Sequence, residues 1–123
     1  MTSASVYIVD EHDAVRAALA ERLGHASDLR VIGHAGKPDI VMAEVRKAKP
    51  SIVLLEVKRK DGMGLELVRQ IAALAAPPRL AVLTSYPTKW EEEAALRAGA
   101  DAYLLKNIDS KDLIDRIAQL AIP

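Results

Sequence analysis

Ser51-Ile52-Val53-Leu54-Leu55-Glu56-Val57 is the stretch on which the fold turns. Its apolar residues run without alternation, as in a strand covered on both faces, so it belongs near the middle of a sheet. Around it, short β-branched runs alternate with longer amphipathic stretches. That alternation predicts five β/α units and a parallel sheet with helices on both faces. The other strands are expected at Val6–Asp10, Leu29–Gly33, Leu80–Thr84 and Ala102–Leu105. The central run ends on Glu56, Asp10-Glu11 ends the first strand, Thr84-Ser85 the fourth, and Lys106 follows the fifth. Acids, hydroxyls and an ammonium thus gather at the carboxyl edge of one sheet, where open parallel sheets form their sites.

The helices carry their own punctuation. The first, from about Asp13 to Leu23, places Val15, Ala18, Leu19 and Leu23 on one stripe and stops at Gly24, which suits a left-handed cap. Pro38 opens the second, with Val41, Val45 and Ala48 facing inward before Lys49-Pro50 ends it. The third runs from about Leu65 to Ala75 on Leu67, Val68, Ile71 and Leu74. Thr88 and Glu91 have the spacing of a capping box for the fourth, and Gly99 closes it. The fifth, from about Lys111 to Ala121, offers Leu113, Ile114, Ile117 and Leu120.

Composition narrows the function. A chain of 123 residues fits one domain, here residues 1–123, with one core. Acids and bases balance at 17 each, so no global field holds the chain on nucleic acid or an anionic membrane. Cysteine is absent, which excludes disulfides and thiolate metal sites and agrees with a cytoplasmic protein. No apolar segment approaches a bilayer span.

Taken together, Val9-Asp10-Glu11-His12, Leu54-Leu55-Glu56-Val57, Gly64-Leu65-Glu66-Leu67, Val82-Leu83-Thr84-Ser85 and Gly99-Ala100-Asp101-Ala102-Tyr103-Leu104-Leu105-Lys106 resemble the receiver domain of bacterial response regulators. The resemblance covers nearly the whole chain and is strongest to receivers that precede a LuxR-type helix-turn-helix output. It implies a flavodoxin-like, CheY-like doubly wound α/β fold with strand order 2-1-3-4-5. It also implies a phosphorylation switch fed by a sensor histidine kinase. In that pattern Asp10 and Glu11 match the acidic pair that holds Mg²⁺, joined by Glu56 and the Lys58 backbone carbonyl. Lys106 matches the lysine that contacts the phosphoryl group, Thr84 the hydroxyl that swings towards it, and Tyr103 the aromatic that follows the switch.

Glu56 departs from the pattern, because the resemblance asks for a phosphoacceptor aspartate there. The extra methylene moves the carboxylate out of line, and a shift of about an ångström costs on the order of a hundredfold in rate. Lys58-Arg59-Lys60 departs too, replacing the uncharged residue, methionine and proline usual in such receivers. Its cations border the acidic pocket, and Lys58 or Lys106 is expected to contact Glu56 or Asp10 and supply the positive charge that a metal would otherwise bring. Mg²⁺ binding is therefore expected to be weak or absent.

Each of these residues also has a plain alternative. Asp10-Glu11 suits a helix amino-terminal turn, and Thr84-Ser85 suits turn chemistry. Lys106 alone reads as a surface lysine, Tyr103 as a core aromatic, His12 as loop-facing and Trp90 as a half-exposed helix residue. Lys58-Arg59-Lys60 reads as a solvated basic loop. Only their joint order favours a site.

The function expected is a phosphorylation-independent receiver acting as a regulatory interaction module, in a transcriptional regulator of a two-component system, and not an enzyme. Two others stand beside it: a Mg²⁺-dependent phosphoacceptor, and a small-molecule-binding flavodoxin-like domain. The histidine kinase partner stays open. The chain is expected to be a fragment continuing into a DNA-binding output domain, with no membrane or direct nucleic-acid contact of its own. Any self-association, as a homodimer, or docking of an output domain is expected through the fourth helix, fifth strand and fifth helix, using Trp90, Ala94, Arg97, Tyr103, Asp112 and Arg116.

Overall fold

A computed structural model describes residues 3–122, leaving Met1, Thr2 and Pro123 outside the described residues. Strands and helices alternate from end to end: β1 (Ala4–Val9), α1 (Asp13–Gly24), β2 (Leu29–Ala35), α2 (Pro38–Ala48), β3 (Ile52–Leu55), α3 (Gly64–Ala72), β4 (Arg79–Thr84), α4 (Lys89–Ala98), β5 (Ala102–Leu105) and α5 (Ser110–Leu120). All four strand pairings are parallel, in the order β2-β1-β3-β4-β5. The expected order is therefore found.

Successive strand side chains point to opposite faces, and the sequence uses this to build two cores. Tyr7, Val9, Val53, Leu55, Leu80 and Val82 pack on one face against Val41, Val45, Leu67, Val68 and Ile71 from α2 and α3. Val6, Ile8, Ile52, Leu54, Ala81, Leu83 and Leu104 pack on the other against Leu19 and Leu23 of α1 and Leu113 and Ile117 of α5. With both faces covered, β3 carries no polar side chain until it ends at Glu56, which explains its unbroken apolar run.

Helix faces differ in part from expectation. Val15 and Ala18 are exposed, and Arg16 and Ala20 turn inward beside Leu19 and Leu23. In α2, Ala48 is exposed and Met42 takes the buried place. Gly24 adopts no left-handed cap, because α1 ends on right-handed His25 (φ −82) and Ala26 N–H bonds back to Leu23 O. Positive φ falls instead at Lys49, Gly62 and Gly99. α3 stops at Ala72, three residues early, through a bond from Leu74 N–H to Ile71 O.

One irregularity shapes the edge strand. Register slips between Val6, opposite Val31, and Tyr7, opposite Gly33, leaving Ile32 as a bulge. A Cβ on Gly33 would lie 3.0 Å from the Tyr7 ring, so the bulge seats a large core aromatic under a residue without a side chain.

Candidate functional site

The ladder carries the site residues into position. Glu56 N–H donates to Val9 O at 3.0 Å and Lys106 N–H to Thr84 O at 2.9 Å, each one residue past its strand. Their side chains thereby emerge at one edge, with those of Asp10 and Thr84. Asp10, Glu56 and Thr84 are the buried polar or charged residues of the described chain, at 2%, 7% and 0% exposure. Buried polar groups need partners. Each of the three has them.

Lys106 supplies two. Its ammonium donates to Asp10 Oδ2 at 2.7 Å and lies 3.3 Å from Glu56 Oε1, so a single cation bridges both carboxylates. Asp10 Oδ1 accepts from His12 N–H at 2.9 Å and lies 3.0 Å from His12 Nδ1. Glu56 Oε2 accepts from Lys58 N–H at 3.1 Å, and Glu11 Oε1 accepts from Lys60 N–H at 2.9 Å. Burial alone would raise the Asp10 carboxyl. The hydrogen bonds from Lys106 and His12, with the Lys106 charge, outweigh it and hold the group below its ordinary value.

Of the two lysines expected beside the acids, Lys106 is the one found there and Lys58 goes elsewhere. Its ammonium turns from Glu56 to Thr84 Oγ1 at 2.9 Å, Tyr86 O at 2.7 Å and the Glu91 carboxylate at 2.8 and 2.9 Å. It is Lys106, entering between the two acids, that supplies charge to Glu56. Glu91 likewise completes only half of the expected capping box. Thr88 Oγ1 accepts from Glu91 N–H at 3.1 Å, but the Glu91 carboxylate turns to Lys58 and to Tyr103, whose hydroxyl donates to it at 2.6 Å. Burial, and then this acceptor, push the Tyr103 phenol up to about 12.

Two arginines, Arg16 and Arg22, escaped the sequence reading, and a third, Arg59, was read only as part of the basic loop. Arg22 of α1 donates to Lys106 O at 2.8 Å, to Ile108 O and to Ser110 Oγ at 2.7 Å, fixing the loop behind Lys106. Arg16 donates to Asp10 O at 2.7 Å. Arg59 is not solvated: its side chain is 3% exposed, and its guanidinium donates to Gly36 O at 2.6 Å and pairs with Asp61. Asp61 is two residues from Arg59, but the backbone carbonyls that these arginines reach lie 6 to 86 residues away in sequence, and no local pattern announces them. An open cleft of about 540 Å³ beside these groups is lined by Glu11, Arg16, His34, Lys37, Arg59 and Asp61, among others.

The expected Mg²⁺ donors do not form a cage in this arrangement. Mg²⁺ wants near-octahedral oxygen at about 2.0–2.1 Å, whereas an ammonium sits between Asp10 and Glu56, and Glu11 is drawn to the Lys60 amide. Among the described residues no group of three His, Cys, Asp or Glu side chains is placed to share a metal.

The response regulator receiver domain family matches this sequence over residues 6–118. The chain belongs to that family. As a receiver, it is 37% identical over 108 residues to the DNA-binding transcriptional activator DevR/DosR of Mycobacterium tuberculosis, covering 88% of this chain and 50% of that protein. It is 31% identical over 112 residues to the response regulator protein VraR of Staphylococcus aureus, covering 91% of this chain and 54% of that protein. The receiver therefore spans about half the length of the curated relatives it matches. A LuxR-family two-component response regulator from Aurantimonas sp. SI85-9A1 superimposes with a TM-score of 0.89 at 22% identity, over 98% of this chain and 86% of that one. The response regulator ChrA of a heme-sensing two-component system gives 0.80 at 28% identity, over 98% and 58%.

Receiver domains are generally non-enzymatic signalling modules that typically bind Mg²⁺ at their phosphorylation site. Among the described residues no helix is long and apolar enough to cross a membrane. Of the residues expected on the docking face, Trp90 is 68% exposed, Arg97, Asp112 and Arg116 are exposed, Tyr103 is half-buried, and Ala94 is buried against the core and offers little surface.

Proposed function

We propose that this receiver works without phosphotransfer, as an interaction module in a cytoplasmic regulator of transcription. The observation that carries the reading is the Lys106 ammonium between Asp10 and Glu56, 2.7 and 3.3 Å from their oxygens. Glu56 takes the place of the phosphoacceptor, with Asp10, Glu11 and the Lys58 carbonyl beside it and Thr84, Tyr103 and Lys106 as the groups that would contact a phosphoryl oxygen. In-line attack needs a carboxylate oxygen held about 3–3.5 Å from phosphorus and free to form a bond. Both Glu56 oxygens instead face donors of this chain, Lys106 Nζ and Lys58 N–H. Neutralised from within, the acids have less need of a metal, and Mg²⁺ binding is weak.

A module of this kind acts through its surface. The face of α4, β5 and α5 presents Trp90, Arg97, Tyr103, Asp112 and Arg116, and tryptophan and arginine are residue types that anchor interfaces. We assign to it self-association or docking of a DNA-binding output domain in the same polypeptide, in keeping with the DNA-binding relative. Incubation with Mg²⁺ and acetyl phosphate followed by intact mass tests the central claim. No phosphoryl adduct is expected; a mass gain of one phosphoryl group mapped to Glu56 overturns it and returns the domain to the ordinary metal-dependent switch.

A further inference from the structure

We infer that Lys58 is a positioning residue that holds the α4 end of the docking face in one arrangement, by tying the loop after β3 to the loop after β4 and to the first turn of α4. The inference rests on the proposed use of that face, and extends it to the residue that sets its shape.

An ammonium has three N–H donors and no acceptor. Lys58 aims at three groups: Thr84 Oγ1, the carbonyl of Tyr86 and the Glu91 carboxylate, all between 2.7 and 2.9 Å. These belong to the end of β4, the following loop and the start of α4. Lys58 is 38% exposed in its side chain, yet it holds three acceptors from separate segments. Its neighbours close off other arrangements of the loop, since Arg59 grips Gly36 O on the far side and Lys60 N–H is taken by Glu11. Three consecutive residues thus anchor the loop in three directions.

The tie continues past Lys58. Glu91 Oε1 also accepts from the Tyr103 hydroxyl, whose oxygen accepts from Thr88 N–H at 3.2 Å, while Thr88 Oγ1 caps Glu91 N–H. Glu91, Tyr103 and Thr88 therefore close a hydrogen-bonded ring at the helix start, and Lys58 is joined to it through the Glu91 carboxylate. Charge-assisted hydrogen bonds are the strong members of such a network, and an acid in the first turn also faces the positive end of the helix dipole. The exposed aromatics Tyr86 and Trp90 ride on this backbone, at 76% and 68% exposure. A partner seated on them meets a surface whose geometry Lys58 fixes with no phosphoryl group involved.

Amide hydrogen exchange without metal or phosphodonor tests this directly, because two amides report the tether, one on each side of Lys58. Tyr86 N–H donates to Thr84 Oγ1 at 3.2 Å, and Thr88 N–H to the Tyr103 hydroxyl. In Lys58→Met both amides are expected to exchange about tenfold faster, the scale of one charged hydrogen bond, while Ile8 and Val53 amides in the core keep their rates. Glu91→Gln spares the lysine contacts to Thr84 and Tyr86 O, so it should release Thr88 and leave Tyr86 protected. The double variant should add little at Thr88, since both changes cut one network, and Lys58→Arg should restore part of the protection.

Unchanged exchange at Tyr86 and Thr88 in Lys58→Met overturns the inference. If Lys58→Met instead loosens the whole chain, the Glu91→Gln split between the two amides decides, and a uniform or absent effect there overturns it as well. A phosphoryl group transferred from acetyl phosphate to Glu56, with release of acetate, would refute the phosphotransfer-independent function and leave the tether standing; the two failures are separately visible.

Discussion

Lys106 and Asp10 show how much one ammonium settles at this edge. Asp10 is buried, and burial by itself disfavours its charged form; the hydrogen bonds from Lys106 and His12 reverse the sign and lower its pKa. A lowered value in the folded state contributes stability that is complete above the ordinary carboxylate range, near 3.8 for this group, and is lost as pH falls through the lowered value. Lys106→Met should therefore raise the Asp10 pKa, read by carboxyl carbon NMR titration. It should also cost about 3 kcal/mol at neutral pH, because it leaves two buried carboxylates without their cation; urea unfolding measures it. An unmoved Asp10 titration would show that His12 alone holds the carboxylate. At Tyr103, burial and the Glu91 acceptor raise the phenol to about 12, so Glu91→Gln should bring it down towards its ordinary 10.0, followed by tyrosinate absorbance.

Three glycines govern how the elements begin and end, and they differ in what a methyl group would meet. Gly64 opens α3 against the backbone of Val57, whose carbonyl oxygen would lie 2.0 Å from a Cβ. Gly99 closes α4 at φ 121, with the Ala72 Cβ 2.5 Å from the same position. Gly62 has φ 72 but open space around it. Alanine should accordingly cost about 1 kcal/mol at Gly62, from backbone strain alone. At Gly99 strain and crowding combine, and at Gly64 backbone must move, so about 3 kcal/mol or more is expected at each. Urea unfolding of the three variants checks the order. Equal losses at Gly62 and Gly64 would mean that α3 shifts freely on the loop bearing Lys58.

For the whole molecule, the balance of 17 acidic and 17 basic residues gives no long-range steering, so any association must come from a local patch. Trp90, Arg97, Asp112 and Arg116 would supply one on the face we propose for docking. Trp90→Ala with Arg97→Glu should weaken self-association by tenfold or more, as loss of an anchoring residue typically does, while leaving the unfolding midpoint within experimental error. Sedimentation velocity reads the first and urea unfolding the second. Unchanged association in a folded double variant would move the interface elsewhere.

Much of this protein was legible before its structure. Five β/α units, the buried β3 run, and an edge collecting Asp10, Glu56, Thr84 and Lys106 all follow from periodicity, because alternation and helical spacing are local consequences of backbone geometry. The family resemblance rested on the same motifs. What periodicity could not show is which charge meets which. Lys58 lies two residues from Glu56 yet pairs with Glu91, 33 positions away, and Lys106 reaches Asp10 across 96. Arg22 and Arg59 find backbone carbonyls that no composition marks. Even α1 turned Arg16 inward where Val15 was expected, because Asp10 O lay within its reach. A long flexible side chain has many acids within its sequence neighbourhood, and its choice among them depends on through-space distance and on which partner is already desolvated. Those quantities exist only once the sheet has closed.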